Sequence, residues 1–305
     1  MKGLIQKTLS VVPGGVRMND MLQRSVGSFR RLDAEVTGKI EDFRLMARQL
    51  RATSVAIEGA RFLEIGAGWY PTLAVCLYLV GAERVHALDR VRHLQPDLLR
   101  KLIARLESEV PSIAEAAGVY AGVCEARRAH LRASLSTGAM LRDASEGCID
   151  YRAPADAAAT ELPQHSVDVV FSSSMLEHIP LVVLDNIFAE SWRILRPGGV
   201  MFHSVNCGDH YAYTDPSVGQ LHYLKYSERQ WRLLWNNELQ YQNRLRAIDF
   251  INLARKHDFE IVRDTTKIDP DRLAELRALP RVAREFRGYS PEELCVTTVD
   301  LIARK

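Results

Sequence analysis

An α/β fold, with an open, mostly parallel sheet covered by helices on both faces, is what this sequence predicts, and three observations predict it. A short apolar run at 61–65 ends in glycines, an apolar helical run follows at 72–80, and a second strand-like run at 84–89 closes a strand–turn–helix–strand unit. Further buried strand-like runs occur at 167–172 and 200–205, separated by an amphipathic helix at 184–195 that Arg196-Pro197-Gly198-Gly199 stops. Hydrophobic residues make up 47% of the 305 and charged residues 26%, which predicts a buried core rather than disorder.

Taken in order, residues 1–58 read as a helical, amphipathic segment. Leu32, Val36, Ile40, Phe43, Ala47 and Leu50 recur at helical spacing, and Pro13-Gly14-Gly15 breaks the pattern near its start. Residues 59–305 form the main domain. Within it, about 92–148 are helical and rich in Arg, Leu, Ala and Glu, longer than one crossover helix needs, so they read as an insertion. A second insertion, polar and aromatic, covers about 206–246. A helix is expected over 247–256, strands over 259–262 and 295–303, and Arg-rich helix over about 268–290 between them. The N-terminal helices and the helical insertion are candidates for a lid or a homodimer surface.

Composition excludes several functions. Lys+Arg is 40 and Asp+Glu 38, a net charge of +2, which suits neither a nucleic-acid binder nor a polybasic membrane binder. No apolar run approaches the roughly 20 residues that span a bilayer. The basic start, Met1 to Lys7, lacks the apolar stretch of a signal peptide, so a cytoplasmic location is expected. The cysteines, Cys76, Cys124, Cys148, Cys207 and Cys295, are odd in number and contain no C-x-x-C, against both a disulfide framework and a structural zinc site.

The most informative segment is Leu63-Glu64-Ile65-Gly66-Ala67-Gly68-Trp69-Tyr70-Pro71. Two glycines at the carboxyl end of the first strand let a ligand approach the backbone. Asp89, ending the second strand, can accept hydrogen bonds from two ribose hydroxyls. A tight turn beside an ordinary surface Asp is the plainer explanation, but the two features in one unit favour a nucleotide-like ligand. Pro71 stands where a dinucleotide fingerprint needs its third glycine, and no Gly-Lys-Ser/Thr follows. Glu64 disfavours a phosphate and favours a cationic or amino-bearing ligand.

These residues resemble the first motif of class I S-adenosylmethionine-dependent methyltransferases, E-x-G-x-G. Three more segments match that family in order: Ala155-Asp156-Ala157 with Leu162-Pro163 and Ser166-Val167-Asp168-Val169-Val170; Ser172-Ser173-Ser174-Met175-Leu176-Glu177-His178-Ile179; and Leu195-Arg196-Pro197-Gly198-Gly199. The resemblance implies a Rossmann-like, seven-stranded, mostly parallel sheet and S-adenosylmethionine as cofactor. Gly66 and Gly68 would line the methionine moiety, Asp89 the ribose, and Asp156 the adenine amine. Glu64, Ala67, Arg90, Ala157 and Ser173 are expected in the same cofactor site.

The acceptor is expected over the ends of the fourth and fifth strands. An Asn/Asp-Pro-Pro-aromatic motif and a Pro-Cys dipeptide, which nucleic-acid base methylation uses, are both absent. Asp209-His210 is the expected catalytic pair, because a neutral imidazole takes a hydroxyl proton near pH 7. His178, Asn206, Tyr211, His222, Tyr226 and Arg244 are expected to bind the acceptor, by aromatic faces and a cation. The plainer alternative is that the aromatics pack the insertion and Arg244 and Arg246 cap its helices. The same insertion resembles an appendage of bacterial methyltransferases of sugar and secondary-metabolite clusters, which implies O-methylation of such a small molecule. Methylation of nitrogen or of a carboxylate stays open, as do a nicotinamide-dependent oxidoreductase and a non-catalytic binding protein. His203, Asp209, His210 and His222 match no defined ligand spacing, so no metal is expected.

Overall fold

The computed structural model describes residues 28–213, 215–236, 241–266 and 268–305. Residues 1–27 of the expected N-terminal segment lie outside the described residues. The chain runs α1 (Ser28–Ala52), β1 (Arg61–Ile65), α2 (Thr72–Leu79) and β2 (Arg84–Leu88). The insertion follows as α3 (Pro96–Arg105), α4 (Val110–Ala117), α5 (Ala121–Ser136) and α6 (Leu141–Ala144), then β3 (Ile149–Arg152). Next come β4 (Val167–Ser173), α7 (Leu181–Ile194), β5 (Leu195–Asn206), α8 (Glu228–Leu234) and α9 (Ala247–Lys256). The end is β6 (Glu260–Asp264), α10 (Pro270–Ala278), α11 (Pro291–Cys295) and β7 (Thr298–Arg304).

The seven strands lie in the order β3-β2-β1-β4-β5-β7-β6. From β3 to β5 the pairs are parallel, and β7 runs antiparallel between β5 and β6. Strand residues alternate between two cores, as a period of two requires. Phe62, Val85, Phe171 and Phe202 face a layer built from α1 to α6. Leu63, Leu88, Val170 and Met201 face α7 and α9. In α1, Val36, Ile40, Phe43, Ala47 and Leu50 are buried at the expected helical spacing.

The structure departs from the sequence reading in three places. Residues 295–303 are not one strand. Ser290 forms a capping box with Glu293 and Pro291 opens the helix, so the chain stays helical to Cys295 and β7 begins at Thr298. The expected helix at 268–290 shrinks to α10 and a single turn at Arg284–Phe286. β3 has only four residues and was not visible behind the helical insertion.

The aromatic insertion makes a third core. Tyr223, Leu224 and Trp231 pack against Phe286, Leu294 and Cys295 from the C-terminal segment. Arg246 ties this unit to the sheet. Its fully buried guanidinium donates to the carbonyls of Cys207 (2.7 Å), Leu294 (3.0 Å) and Val296, and to the Tyr223 hydroxyl. Replacing Arg246 by Met removes the donor from the Leu294 and Val296 carbonyls and leaves the Cys207 carbonyl with the Tyr223 hydroxyl alone. The expected result is a loss of about 3–5 kcal/mol in stability, read as a lower urea midpoint for Arg246→Met.

Candidate active site

β1 and β4 are neighbours, but α2 carries the chain from β1 toward β2, while β4 is followed by α7 and β5 on the other side. Such a switch point leaves a crevice beyond the strand ends. A cavity of about 600 Å³ opens there, walled by Gly66, Asp89, Arg90, Asp156, Ala157, Met175 and His178 among others.

The floor of the cavity is the glycine bend. Gly66 and Gly68 have φ of +83° and +67°, which other residues rarely adopt. The N–H groups of Gly66 and Ala67 both donate to the Leu88 carbonyl (2.9 and 3.0 Å), curling the chain back over β2. Asp89 completes the bend: its carboxylate accepts from the Gly68 N–H (2.8 Å) and the Val91 N–H (3.0 Å). A Cβ on Gly66 would stand 2.6 Å from the Met175 sulfur, so the bend and the Met175 side chain touch only because that Cβ is missing. At Gly68 a Cβ would meet nothing within 4 Å, and the requirement is conformational alone. Trp69 and Tyr70 pack toward the α1 side of the sheet and do not wall the cavity.

Behind the bend, Glu64 is 3% exposed and its Oε2 has no hydrogen-bond partner. Burial raises its pKa to about 7, Asp89 adds to the rise, and Lys39 and the Ala74 backbone oppose it. α1 roofs this region. Lys39 Nζ donates to the Ser173 carbonyl (3.2 Å), and the Ser173 hydroxyl donates to Asp42 (2.6 Å). Ser173 is thus buried and engaged by α1, and it is not part of the cavity wall, nor is the buried Ala67. Asp156 does wall the cavity, with one oxygen accepting from the Ala158 N–H (2.8 Å).

At the other end, His178 shares the wall with Ile179, Pro180, Val183 and Ile187, and a polar cluster lies behind it. After β4 the chain turns through Leu176–His178, placing His178 on the wall and Glu177, 1% exposed, behind it. Glu177 Oε1 accepts from the Asn206 N–H (3.3 Å), while its Oε2 is buried and unpartnered, and burial raises its pKa to about 7. His178 Nδ1 donates to the Tyr241 carbonyl (2.8 Å), which leaves Nε2 as its lone-pair nitrogen. The His210 ring lies edge-on to His178 at 4.9 Å, with Nε2 4.0 Å from Glu177 Oε1 and otherwise unpartnered. Burial and the neighbouring His178 lower the His210 pKa to about 4, so both rings are neutral at pH 7. Residues 241–243 clamp this turn. Asn243 donates from its side chain to the Leu176 and Ile179 carbonyls (2.8 Å each) and from its backbone to the Glu177 carbonyl (2.9 Å). Gln242 accepts from the His210 N–H (3.4 Å).

Asp209 and His210, adjacent in sequence, do not pair with each other. The fully buried Asp209 carboxylate faces His222 Nδ1 (2.9 Å), and His222 Nε2 accepts from the Tyr226 hydroxyl (3.2 Å). Asn206 reaches the Tyr213 hydroxyl (2.7 Å), and the Tyr211 hydroxyl donates to the Trp235 carbonyl (2.6 Å). Arg244 is engaged inside the insertion, by the carbonyls of Tyr223 (3.3 Å) and Tyr226 (2.7 Å), by Glu228 (2.5 Å), and by the rings of Trp231 and Phe286. That is the packing alternative weighed above. Sequence reasoning missed Glu177, although it sits beside His178 in the quoted motif, and it missed Lys39, whose α1 pattern signalled only burial.

Residues 118–203 match a family model described as a methyltransferase domain. That stretch holds β3, β4, α7 and most of β5, and the glycine bend precedes it. A comparison with curated proteins found no match. Among solved structures, an S-adenosylmethionine-dependent methyltransferase from Mesorhizobium loti is 18% identical, with a TM-score of 0.46, covering 84% of this chain and 96% of its own. A SAM-dependent methyltransferase from Methanosarcina mazei is 15% identical, with a TM-score of 0.45, covering 81% of this chain and 93% of its own. Neither of these two similarities bears on the activity. No described helix is long and apolar enough to cross a membrane. The domain match covers less than a third of the chain, and together with the strand order and the glycine-floored crevice at the switch point it marks that crevice as the candidate site.

Proposed function

We propose that the enzyme methylates a hydroxyl of a small molecule, a sugar or a secondary metabolite, in the cavity between the glycine bend and the Glu177–His178–His210 end. The observation that carries this reading is that polar cluster itself. His178 lines the crevice, the His210 ring lies against it, and the Glu177 carboxylate with its unpartnered oxygen stands behind, and a hydroxyl needs such acceptors to be oriented and relieved of its proton.

The residues present fit the cofactor. The missing Cβ at Gly66 lets the flexible Met175 side chain lie against the bend, where a ligand chain can displace it, and the unpartnered oxygen of Glu64 suits an amino group. In this reading Gly66, Gly68 and Glu64 hold the methionine portion. Asp89, whose oxygens each keep a second lone pair, takes the ribose hydroxyls with Arg90 alongside, and Asp156 and Ala157 take the adenine. Ala67 and Ser173 support the bend and the α1 roof from behind. When bound, the cofactor supplies a methyl group on a sulfonium, open to an in-line nucleophile.

At the acceptor end, His178 and Asn206 orient the substrate, and His210 Nε2 accepts the hydroxyl proton. Asp209 acts on this end through His222 and Tyr226, a hydrogen-bonded row that can hold a second substrate hydroxyl beside Tyr211. Arg244 contributes by fixing the Tyr223–Tyr226 turn.

The test is incubation of the enzyme and cofactor with a panel of sugars, phenols, amines and carboxylates, with methylated product read by mass spectrometry. Ether products are expected. Products confined to amines or carboxylates, unaffected by His210→Ala, would overturn the hydroxyl reading. With an accepted substrate, His210→Ala is expected to lower kcat by 10²-fold or more while cofactor affinity stays within about threefold.

Cofactor affinity by calorimetry should separate the two glycines. Gly66→Ala, which must displace Met175, is expected to weaken binding at least tenfold, and Gly68→Ala less; Asp89→Ala, which also releases the bend, should weaken it at least as much as Gly66→Ala.

Glu64 also marks the pH dependence of stability. Its folded pKa of about 7 lies above the ordinary 4.5, so the folded chain holds the extra proton, and stability falls as pH rises through that window. The ionised carboxylate costs on the order of 3 kcal/mol above it. Glu64→Gln should therefore flatten the decline in melting temperature between about pH 5 and 7.5 while weakening cofactor binding. An unchanged slope would remove Glu64 as its source.

A further inference from the structure

We propose that Glu177, His178 and His210 form a binding site for one divalent transition-metal ion of the zinc or iron(II) kind, facing the cofactor cavity. The sequence predicts no such site, because Glu177 and His178 are contiguous and His210 lies on the far side of β5, and no linear spacing records that meeting.

Ligand atoms from the three side chains lie within 4.8 Å of one another, one carboxylate oxygen and two imidazole nitrogens. Two of the candidate ligand atoms have no hydrogen-bond partner among the described residues. Glu177 Oε2 and His210 Nε2 are both buried and unpartnered, and Glu177 is almost wholly removed from solvent. The outer atoms are already fixed. The Tyr241 carbonyl holds His178 Nδ1–H, and the Asn206 N–H holds Glu177 Oε1, whose other lone pair is free toward His210 Nε2 at 4.0 Å. Such outer contacts orient metal ligands and set the imidazole tautomer. Bonds of about 2.0–2.2 Å need ligand atoms roughly 3.0–3.4 Å apart, so shifts of about 1 Å close the set around an ion.

Two nitrogens and one oxygen select zinc, iron(II) or manganese over magnesium or calcium, which prefer six or more oxygens. Three protein ligands leave a coordination position open, and His178 places that position on the cavity wall. Lys39, whose charge is felt at Glu177, is held by Asp42 at 3.6 Å and by the Ser173 carbonyl.

The consequence rests on the hydroxyl-acceptor reading above. A substrate hydroxyl bound at the open position becomes more acidic, and its proton leaves to water. The oxygen then forms its bond to the methyl carbon as the carbon–sulfur bond breaks, giving a methyl ether and a neutral thioether with no change of oxidation state. His210 then serves as a ligand, and the ion takes over activation of the hydroxyl.

The experiment uses the full-length enzyme, stripped with a chelator and titrated separately with Zn²⁺, Mn²⁺ and Mg²⁺ by calorimetry, without substrate. The expected result is one Zn²⁺ per chain at micromolar affinity or better, weaker Mn²⁺ and no Mg²⁺ binding. Glu177→Gln and His210→Gln should each weaken Zn²⁺ at least 100-fold and abolish its effect on melting temperature, while S-adenosylmethionine affinity, measured on the same samples, stays within about threefold and so reports an intact fold. Absence of stoichiometric Zn²⁺ or Mn²⁺ binding overturns the proposal, and so does binding that survives both substitutions. Metal binding as expected, with no hydroxyl methylated in the substrate panel, upholds the site and overturns the acceptor reading alone.

Discussion

The divergence of the chain at the β1–β4 boundary is the constraint on which the rest of this molecule depends. Two adjacent parallel strands send their connections to opposite sides, so nothing in the backbone fills the space beyond their ends. The bend at Gly66 and Gly68 keeps that space open, and the Asp89 carboxylate ties the bend to the end of β2. One carboxylate thus shapes the cavity floor and presents its remaining lone pairs to whatever lies on it.

Two further carboxylates are placed at a cost. Glu64 and Glu177 are both almost fully buried, both keep one oxygen without a partner, and both have their pKa raised to about 7 by desolvation. A fold selected for stability alone would replace such groups with apolar side chains. Glu64 lies behind the glycine bend and Glu177 behind His178, with Lys39 of α1 lowering both pKa values. Buried acids whose pKa desolvation raises, set behind a cavity wall, mark it as a candidate site.

The aromatic insertion serves this site indirectly. Its large rings, Tyr223 and Trp231, are spent on their own core, and Arg244 and Arg246 act as internal beams that gather backbone carbonyls from the insertion, β5 and the C-terminal segment. That rigidity is delivered to the His178 side of the cavity by residues 241–243, which hold the Leu176–His178 turn and the His210 backbone. An Arg in this role is chosen for five donors in a fixed plane rather than for its charge.

Local patterns carried much of this. The short apolar runs of β1, β2 and β4, the helical spacing in α1, and glycines required by positive φ are properties of neighbouring residues, so sequence determined the α/β class, the glycine bend and Asp89 as a cavity residue, while Asp156 came from the resemblance of residues 155–157 to a family motif. The boundary of β7 and the short β3 were lost because capping at Ser290 and pairing with β2 overrode the apolar runs. Only the tertiary structure decided how the surroundings of His178 and His210 are built. It turned Asp209 toward His222 and away from His210, brought Glu177 and His178 to His210 across β5, and engaged Arg244 within the insertion. Side-chain partners across a sheet or an insertion follow from three-dimensional packing and desolvation, and neither leaves a period in the chain.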